Sequence, residues 1–259
     1  MKPVLQEIFP PDMEIARGLP GIAPVKGDIL HVDDAFAGQM RERRTLLAAR
    51  RDDVLQLLPD GRAAALELLH LVLSRLPALG YTVTSDTVTC PDGHLEPIDV
   101  TDPLATLGRI CQEDFCILDK GPQNEHVMTG AVLCFPASWT LAEKIGRSLI
   151  GIHEPVDEYD DNIARRVQRL FDGVQVGRPV WRFNRMWYVD ADLHQPRLES
   201  DKRPVPEQAE AADFFRTERQ TLLRLPDSRA VVFIVHTYVL VRENVPDTVR
   251  LCSDDLVQN

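Results

Sequence analysis

The chain lacks the cysteine patterns of a disulfide framework and of a zinc finger. Its five cysteines are an odd number, and no two of them stand in a Cys-x-x-Cys pair. Cys116 and Cys134 lie within apolar strings, where a free cysteine behaves as a small core residue. The cysteines therefore predict neither a disulfide scaffold nor a structural zinc site.

Several other features are also missing. No apolar run approaches the length of a membrane span, and the N-terminus carries no secretory signal pattern. A glycine-rich fingerprint within a βαβ unit is absent, which argues against a Rossmann-type nucleotide domain. Basic residues are outnumbered, 29 Lys and Arg against 40 Asp and Glu, and the net charge of −11 disfavours nucleic acid or an anionic membrane as a partner. Together these features predict a soluble cytoplasmic protein.

What is present suffices for a folded domain, because 44% of the 259 residues are hydrophobic. Residues 1–30 are rich in proline and glycine and predict an extended arm that wraps its own domain or reaches a partner subunit. Residues 33–76 contain two helical patterns separated by a Pro-Asp-Gly turn, which predicts a helical hairpin whose first helix continues to Leu58. We expect a single domain over 31–245, with a polar tail at 246–259.

The remaining pattern mixes strands and helices without βαβ alternation, which predicts an α+β fold with an antiparallel sheet. The expected elements are short strands in 80–100, a short helix at 102–110, a β-hairpin of 115–118 and 127–135 with His126 exposed at its loop, a strand after Gly177, a helix over 212–225, and a strand over 230–239. Residues 190–212 are polar and contain prolines, so they are expected to form a long loop or lid.

The central stretch joins two amphipathic helical patterns. Leu141, Ile145, Leu149 and Ile152 recur at helical spacing and predict one helix, which Pro155 ends. A second helix follows through Ile163, Val167, Leu170 and Phe171. His153 lies four residues after Leu149 and extends the first apolar stripe. Spacing alone favours a hydrogen-bonded core imidazole over an axial metal ligand.

The string KIGRSLIGIHEPVDEYDDNIARRVQRLF at 144–171, followed by GRPVWRFN, resembles the haem-dependent oxidative N-demethylase family. Three further strings resemble the same family in the same order: QEDFCIL at 112–118, CFPASW at 134–139 and RTERQTLLRLPDSRAVVFIVHTYV at 216–239. The resemblance covers residues 30–240 and implies a PAS-like antiparallel sheet with packed helices. It also implies the haem-binding alpha-type subunit of an enzyme that oxidatively removes a methyl group from a secondary amine.

Haem requires an axial ligand, an apolar slot and cations for its propionates. The resemblance favours His153 as the iron ligand, with His236 as the alternative and Cys134 ranked below both. Arginines that could reach the propionates are Arg165, Arg166, Arg178 and Arg182, although each could instead form an ordinary salt bridge. The apolar slot could be lined by Val132, Phe135, Ile145, Leu149, Phe233 and Val235.

A protonated amine would be held by a carboxylate or a tyrosine. The candidates within the resembling strings are Tyr159, Glu218 and Tyr238. The simpler interpretation is that Glu218 pairs with a nearby arginine and that the tyrosines are packing residues. Asp157 replaces a proline that is usual in the family, and Arg185 follows Asn184 where the family has tryptophan, so the substrate could differ.

The resemblance therefore implies haem b, a small dimethylamine-like substrate, O2, formaldehyde as a product, and electrons from a reductase that uses NADPH or NADH. The chain carries no flavin, nicotinamide or iron–sulfur fingerprint, so the reductase would be a partner and the enzyme a hetero-oligomer. Two alternatives remain open, a haem-binding PAS-like sensor or carrier without catalysis and a haem-free structural subunit, because fold alone does not decide function.

Overall fold

The computed structural model describes residues 3–13, 21–121, 124–153, 161–201 and 212–249. Its helices are α1 (Phe36–Ala49), α2 (Arg51–Val54), α3 (Arg62–Arg75), α4 (Pro103–Ile110), α5 (Leu149–His153) and α6 (Asp161–Gly173). Its strands are β1 (Ala23–Pro24), β2 (Leu55–Leu57), β3 (Thr82–Val83), β4 (Thr87–Thr89), β5 (Leu95–Pro97), β6 (Asp114–Lys120), β7 (His126–Val132), β8 (Val180–Phe183), β9 (Met186–Tyr188), β10 (Phe214–Arg224) and β11 (Val231–Val241).

An antiparallel sheet forms the centre of the molecule, in the order β1-β8-β10-β11-β6-β7-β2, with β9 also paired to β10. The strands β3, β4 and β5 form a separate small sheet. The predicted α+β class is therefore confirmed, as are the hairpin of β6 and β7, the short strands of 80–100, and the helices α4 and α6.

The two faces of the large sheet pack against different helices. The first face meets α1, α3 and α4 in a core that includes Met40, Leu69, Leu104, Phe115, Ile117 and Ile234. The second face meets α5 and α6 in a core that includes Cys116, Leu118, Leu149, Phe171 and Leu222. Alternate residues of β6 and β11 thus enter opposite cores, as the two-residue period of a strand requires.

The helix predicted over 212–225 is wrong, because this segment is the strand β10. It pairs over its whole length with β11, from Phe214 opposite Val241 to Arg224 opposite Val231. Polar residues occupy both faces of β10, so the simple alternation of apolar and polar residues that marks a half-buried strand is missing from the sequence.

The helical hairpin predicted over 33–76 is interrupted. After α1 and the short α2, residues 55–57 enter the sheet as β2 beside β7, so the first helix does not continue to Leu58. Helices α1 and α3 both pack against α4. Residues 55–57 pair with β7 at the edge of the sheet instead of continuing the helix.

The single helix predicted from Leu141 to Ile152 is also wrong. Residues 141–143 form one 3₁₀ turn, and α5 begins only at Leu149. Gly146 between them has a positive φ of 74°, which breaks the helix, and its N–H donates to the Met128 carbonyl at 2.8 Å. The apolar residues that suggested the helix nevertheless all pack into the second-face core.

His126, which was predicted to be exposed, is buried. Its ring lies 5.5 Å from that of Phe171, and its Nδ1 is 2.8 Å from Gln168 Nε2 on α6. The helix α6 therefore covers the loop end of the β6–β7 hairpin, which the sequence pattern alone did not reveal.

Part of the N-terminal arm wraps its own domain. The Gln6 N–H donates to the Val239 carbonyl at 2.9 Å, and the Gln6 amide bonds to Thr237 and Asp33. The arm extends the pairing of β11 beyond the point where β6 ends. None of the helices within the described ranges combines the length and the apolar character needed to cross a membrane.

Candidate functional site

Cross-strand pairing sorts the second face of the sheet into rows of different polarity. The first row is apolar and consists of Val180, Leu222, Phe233, Cys116 and Ala131. In the next row Arg182 stands opposite Gln220, which stands opposite Val235. In the third row Glu218 stands opposite Thr237. The face thus changes from apolar to charged over a few residues.

This face is not fully covered. Phe233 and Gln220 remain partly exposed although they lie on the two central strands β11 and β10. Central strands are normally buried on a face that packs against helices. The partly exposed ring and amide show that this face is incompletely covered where the apolar row meets the polar rows, and we call this area the recess.

Glu218 is a buried carboxylate with fixed orientation in this recess. It is only 7% exposed, and its Oε2 accepts hydrogen bonds from Asn184 Nδ2 at 2.8 Å and Gln220 Nε2 at 3.1 Å. Its Oε1 lies 3.6 Å from Arg216 Nη2. One carboxylate oxygen is therefore held by two neutral amides, while the other makes only a long contact with a cation.

Arg182 carries an unused hydrogen-bond donor. Its Nε is buried and has no hydrogen-bond partner in the part of the chain that the structure describes. Burial lowers the pKa of this guanidinium, and the charge of Glu218 opposes that effect. The Thr237 hydroxyl in the third row is likewise buried without a partner among the described residues. Unpaired buried polar groups cost free energy unless a ligand or water satisfies them.

These residues fit an amphipathic, planar ligand with carboxylate groups, such as haem. The partly exposed Phe233 and Val180 of the apolar row offer apolar surface to a macrocycle, whereas the other members of the row are buried in the core with α5 and α6. A guanidinium with a free donor matches a carboxylate. Of the four arginines predicted for this task, Arg182 alone has its side chain placed on this face. Arg166 is exposed on α6, and Arg178 is exposed with its Nη1 3.4 Å from Gln175 Oε1 at a cleft of about 610 Å³. The side chain of Arg165 lies outside the described residues.

The helix α5 brings the sequence around His153 to the same face. Leu149, its first residue, is 3% exposed and packs in the second-face core with Phe171 and Leu222. His153 is the last residue of α5, and its side chain lies outside the described residues, as does the whole of Tyr159. His153 therefore stays a predicted iron ligand, carried by a helix that packs on the second face.

His236, the alternative ligand, lies on the opposite face and has two carboxylate partners. Its Nδ1 is 2.9 Å from Glu113 Oε1, and its Nε2 is 3.1 Å from Asp33 Oδ2. Burial alone would lower the pKa of His236, but the hydrogen bonds and charges of Asp33 and Glu113 outweigh it and raise the pKa to about 9. An imidazolium that donates from both nitrogens has no lone pair for a metal.

His31 lies beside this ion pair and differs from it in charge. Its ring centroid is 5.6 Å from that of His236, in an edge-on arrangement. Burial and the neighbouring imidazolium lower the pKa of His31 to about 4, so it is neutral. His31 lies in a turn-like segment, and no sequence pattern indicated a role for it. Its contact with His236 on β11 shows that it lies beside the ion pair.

Of two other predicted site residues, Tyr238 lies away from the recess and Phe135 approaches it through its backbone. Tyr238 alternates with Thr237 on β11, so it lies on the opposite face from Glu218 and packs with Phe9 and Phe215. The Phe135 ring is buried, but the Phe135 carbonyl accepts from Arg216 Nη2 at 2.7 Å, and that nitrogen lies 3.6 Å from Glu218 Oε1. The structure therefore brings together Leu149, Arg182 and Glu218 on the second face and separates Tyr238 from them.

Asn184, Gln220 and Thr237 contribute to the recess and were missed by the sequence argument. Gln220 and Glu218 are two residues apart, so an assignment of 214–224 as a strand would have placed them on one face. Asn184 reaches Glu218 only through the pairing of its segment with β10, which no local pattern indicates.

A family model described as "Haem-dependent oxidative N-demethylase, alpha subunit-like" matches residues 22–256, nearly the whole chain.

The charged state of His236 predicts a pH dependence of stability. A raised pKa stabilises the fold fully below the unfolded value, near pH 6.5, and this stabilisation is lost as the pH rises through about 9. We expect unfolding free energy of the wild type to fall by about 3 kcal/mol across this window relative to His236→Gln. Denaturant midpoints measured at several pH values check this difference.

Asp33, with a pKa of about 2, titrates below this window, and His31 titrates near pH 6.5 only in the unfolded state, in the wild type and in His236→Gln alike. The exposed His70 provides the control: His70→Gln should follow the wild-type curve. Parallel curves for wild type and His236→Gln would contradict the assignment of a buried imidazolium.

Proposed function

The chain belongs to the family of haem-dependent oxidative N-demethylase, alpha-subunit-like proteins, and from this premise we propose that it is the haem-binding oxygenase subunit acting on a small secondary amine. The proposed reaction removes a methyl group from a dimethylamine-like substrate and releases formaldehyde. The observation that carries the proposal is the second face of the sheet, where an apolar row adjoins a buried carboxylate and a guanidinium whose buried Nε has no hydrogen-bond partner among the described residues. The antiparallel sheet with helices on both faces supports a PAS-like assignment.

In this proposal the recess holds haem b. Phe233 and Val180 would contact the macrocycle, Arg182 would pair with a propionate, and His153 would bind the iron. When bound, the haem supplies the redox chemistry that removes the methyl group. The protein contributes the position of the amine and the electrostatic environment around it.

Glu218 is the proposed anchor for the amine. A secondary amine is protonated at neutral pH, and a buried carboxylate attracts an ammonium more strongly than an exposed one does. Asn184 and Gln220 hold Oε2 of Glu218, and Oε1, which lies 3.6 Å from Arg216 Nη2, would accept a hydrogen bond from the ammonium. Tyr159 remains a predicted partner in the same role, and Tyr238 would act only indirectly, from the other face.

Electrons would come from a separate reductase that uses NADPH or NADH, since the sequence has no nicotinamide or flavin fingerprint of its own. The description of the family as alpha-subunit-like supports a multi-subunit enzyme. We propose that the reductase function resides in a partner subunit or partner protein.

The first test is the absorption spectrum of the purified protein with hemin, beside His153→Ala and His236→Ala. We expect a Soret band in the wild type and in His236→Ala, and a lost or shifted band in His153→Ala because the axial ligand is gone. A wild type without a Soret band after hemin addition would rule out the oxygenase. An unchanged spectrum in His153→Ala would rule out His153 as the iron ligand.

Arg182→Leu tests the propionate contact. Removing one charge-assisted hydrogen bond should weaken hemin binding about tenfold, or about 1.4 kcal/mol. Arg166→Leu is the matched control, since Arg166 is exposed on α6 and should leave the affinity unchanged. Equal hemin affinities for the two variants, measured by titration of the Soret band, would argue against Arg182.

Glu218→Gln tests the amine anchor. The variant keeps the size of the side chain but loses its charge, so we expect haem binding to persist while turnover of dimethylamine falls at least tenfold. The measurement is formaldehyde release with an added chemical reductant. Wild-type turnover in Glu218→Gln would place the amine elsewhere. Haem binding without any wild-type turnover of methylated amines would favour a sensor or carrier.

A further inference from the structure

Lys144 is a buried cation that bonds to the end of α5. The residue is 5% exposed, and its Nζ donates to the Ile152 carbonyl at 2.6 Å and to Glu199 Oε1 at 2.6 Å. The last carbonyls of a helix have no partner within the helix, and a cation there is favourable. Ile152 is the residue directly before His153, so Lys144 fixes the backbone at the predicted iron ligand.

Glu199 joins this contact to the segment after β9. Its carboxylate also accepts from Arg147 Nη1 at 2.9 Å, and its backbone N–H lies 3.1 Å from both carboxylate oxygens of Glu143. The hydrogen bond from Lys144 is the largest effect that lowers the pKa of Glu199, so this carboxyl is ionised at neutral pH. Charged contacts therefore connect residues 141–153 to the end of the 190–201 segment.

A helix as short as α5 cannot hold its own position. It has five residues, fewer than an isolated helix needs to be stable, and Gly146 separates it from the preceding turn. Its placement therefore depends on the packing of Leu149 and Ile152 in the core and on the bond from Lys144 to the Ile152 carbonyl. Of these contacts, the bond from Lys144 acts on the backbone directly before His153.

We propose that Lys144 and Glu199 form a clamp that positions His153 as an axial ligand, so that the 190–201 segment is coupled to the iron. This inference rests on the proposed function. Lys144 is a positioning residue: it touches neither iron nor substrate and acts through the backbone of Ile152. Groups that orient a metal ligand typically alter metal affinity and redox potential by large factors when they are removed.

The test compares Lys144→Met with Lys120→Met, each loaded with hemin. Lys120 is the matched control, because its ion pair with Asp172 is exposed and lies away from α5. We expect Lys144→Met to bind hemin about tenfold more weakly and to show a changed spin state and reduction midpoint. Lys144→Arg should restore both properties in part, and Lys120→Met should match the wild type.

Glu199→Gln provides a second variant in case Lys144→Met fails to fold, since Glu199 is partly exposed. It should change the spectrum and midpoint in the same direction but by less. A folded Lys144→Met with wild-type spectra, hemin affinity and reduction midpoint would overturn the clamp. When Lys144→Met is unfolded, the same result in Glu199→Gln would overturn it. Neither result would contradict haem binding itself. A wild type whose spectrum does not depend on His153 would overturn both the clamp and the ligand assignment.

Discussion

Three consecutive polar side chains, Gln112, Glu113 and Asp114, are buried at the start of β6, and the rest of the fold depends on how they are satisfied. Asp114 accepts from Arg43 of α1 at 2.7 Å and from the backbone N–H groups that follow β7. Glu113 binds His236, while Gln112 binds the chain before α1. A buried charge is costly unless it is paired and hydrogen-bonded. These bonds therefore fix how α1, β7 and β11 meet.

Glu113 and its partner His236 lie on the first face, whereas Asp114 stands opposite Val235, in the second-face row of Arg182 and Gln220. The first-face core is closed by three helices, whereas the second face leaves Phe233 and Gln220 partly exposed beside Glu218 and Arg182. When one face of a central sheet is left partly uncovered, it buries less apolar surface, so packing on the other face must contribute more to the stability of the domain. The imidazolium at His236 belongs to the stabilising face, which explains why its chemistry differs from that expected of a ligand.

Elements with one clear pattern could be predicted from the sequence, and elements stabilised by distant partners could not. The β6–β7 hairpin and α6 follow from apolar spacing and turn residues. β10 does not, because Arg216 and Arg219 are buried by partners far along the chain, the carbonyls of Phe135 and Leu193 for one and Asp12 for the other. The same limit applies to the candidate site, because the separation of Glu218 from Tyr238 on opposite faces depends on strand assignment.

The break at Gly146 links the failed helix prediction to the chemistry. In one continuous helix from Leu141, backbone hydrogen bonds would hold His153 whatever the side chains around it did. Because Gly146 instead bonds to Met128 on β7, the segment that carries His153 is short and separately supported. Side-chain bonds of Lys144 hold this segment in place of the backbone hydrogen bonds of a continuous helix. These bonds depend on the charges of Lys144 and Glu199 and on the position of residues 190–201. Under the proposed function, these contacts would allow the position of His153 to change without any change in the sheet.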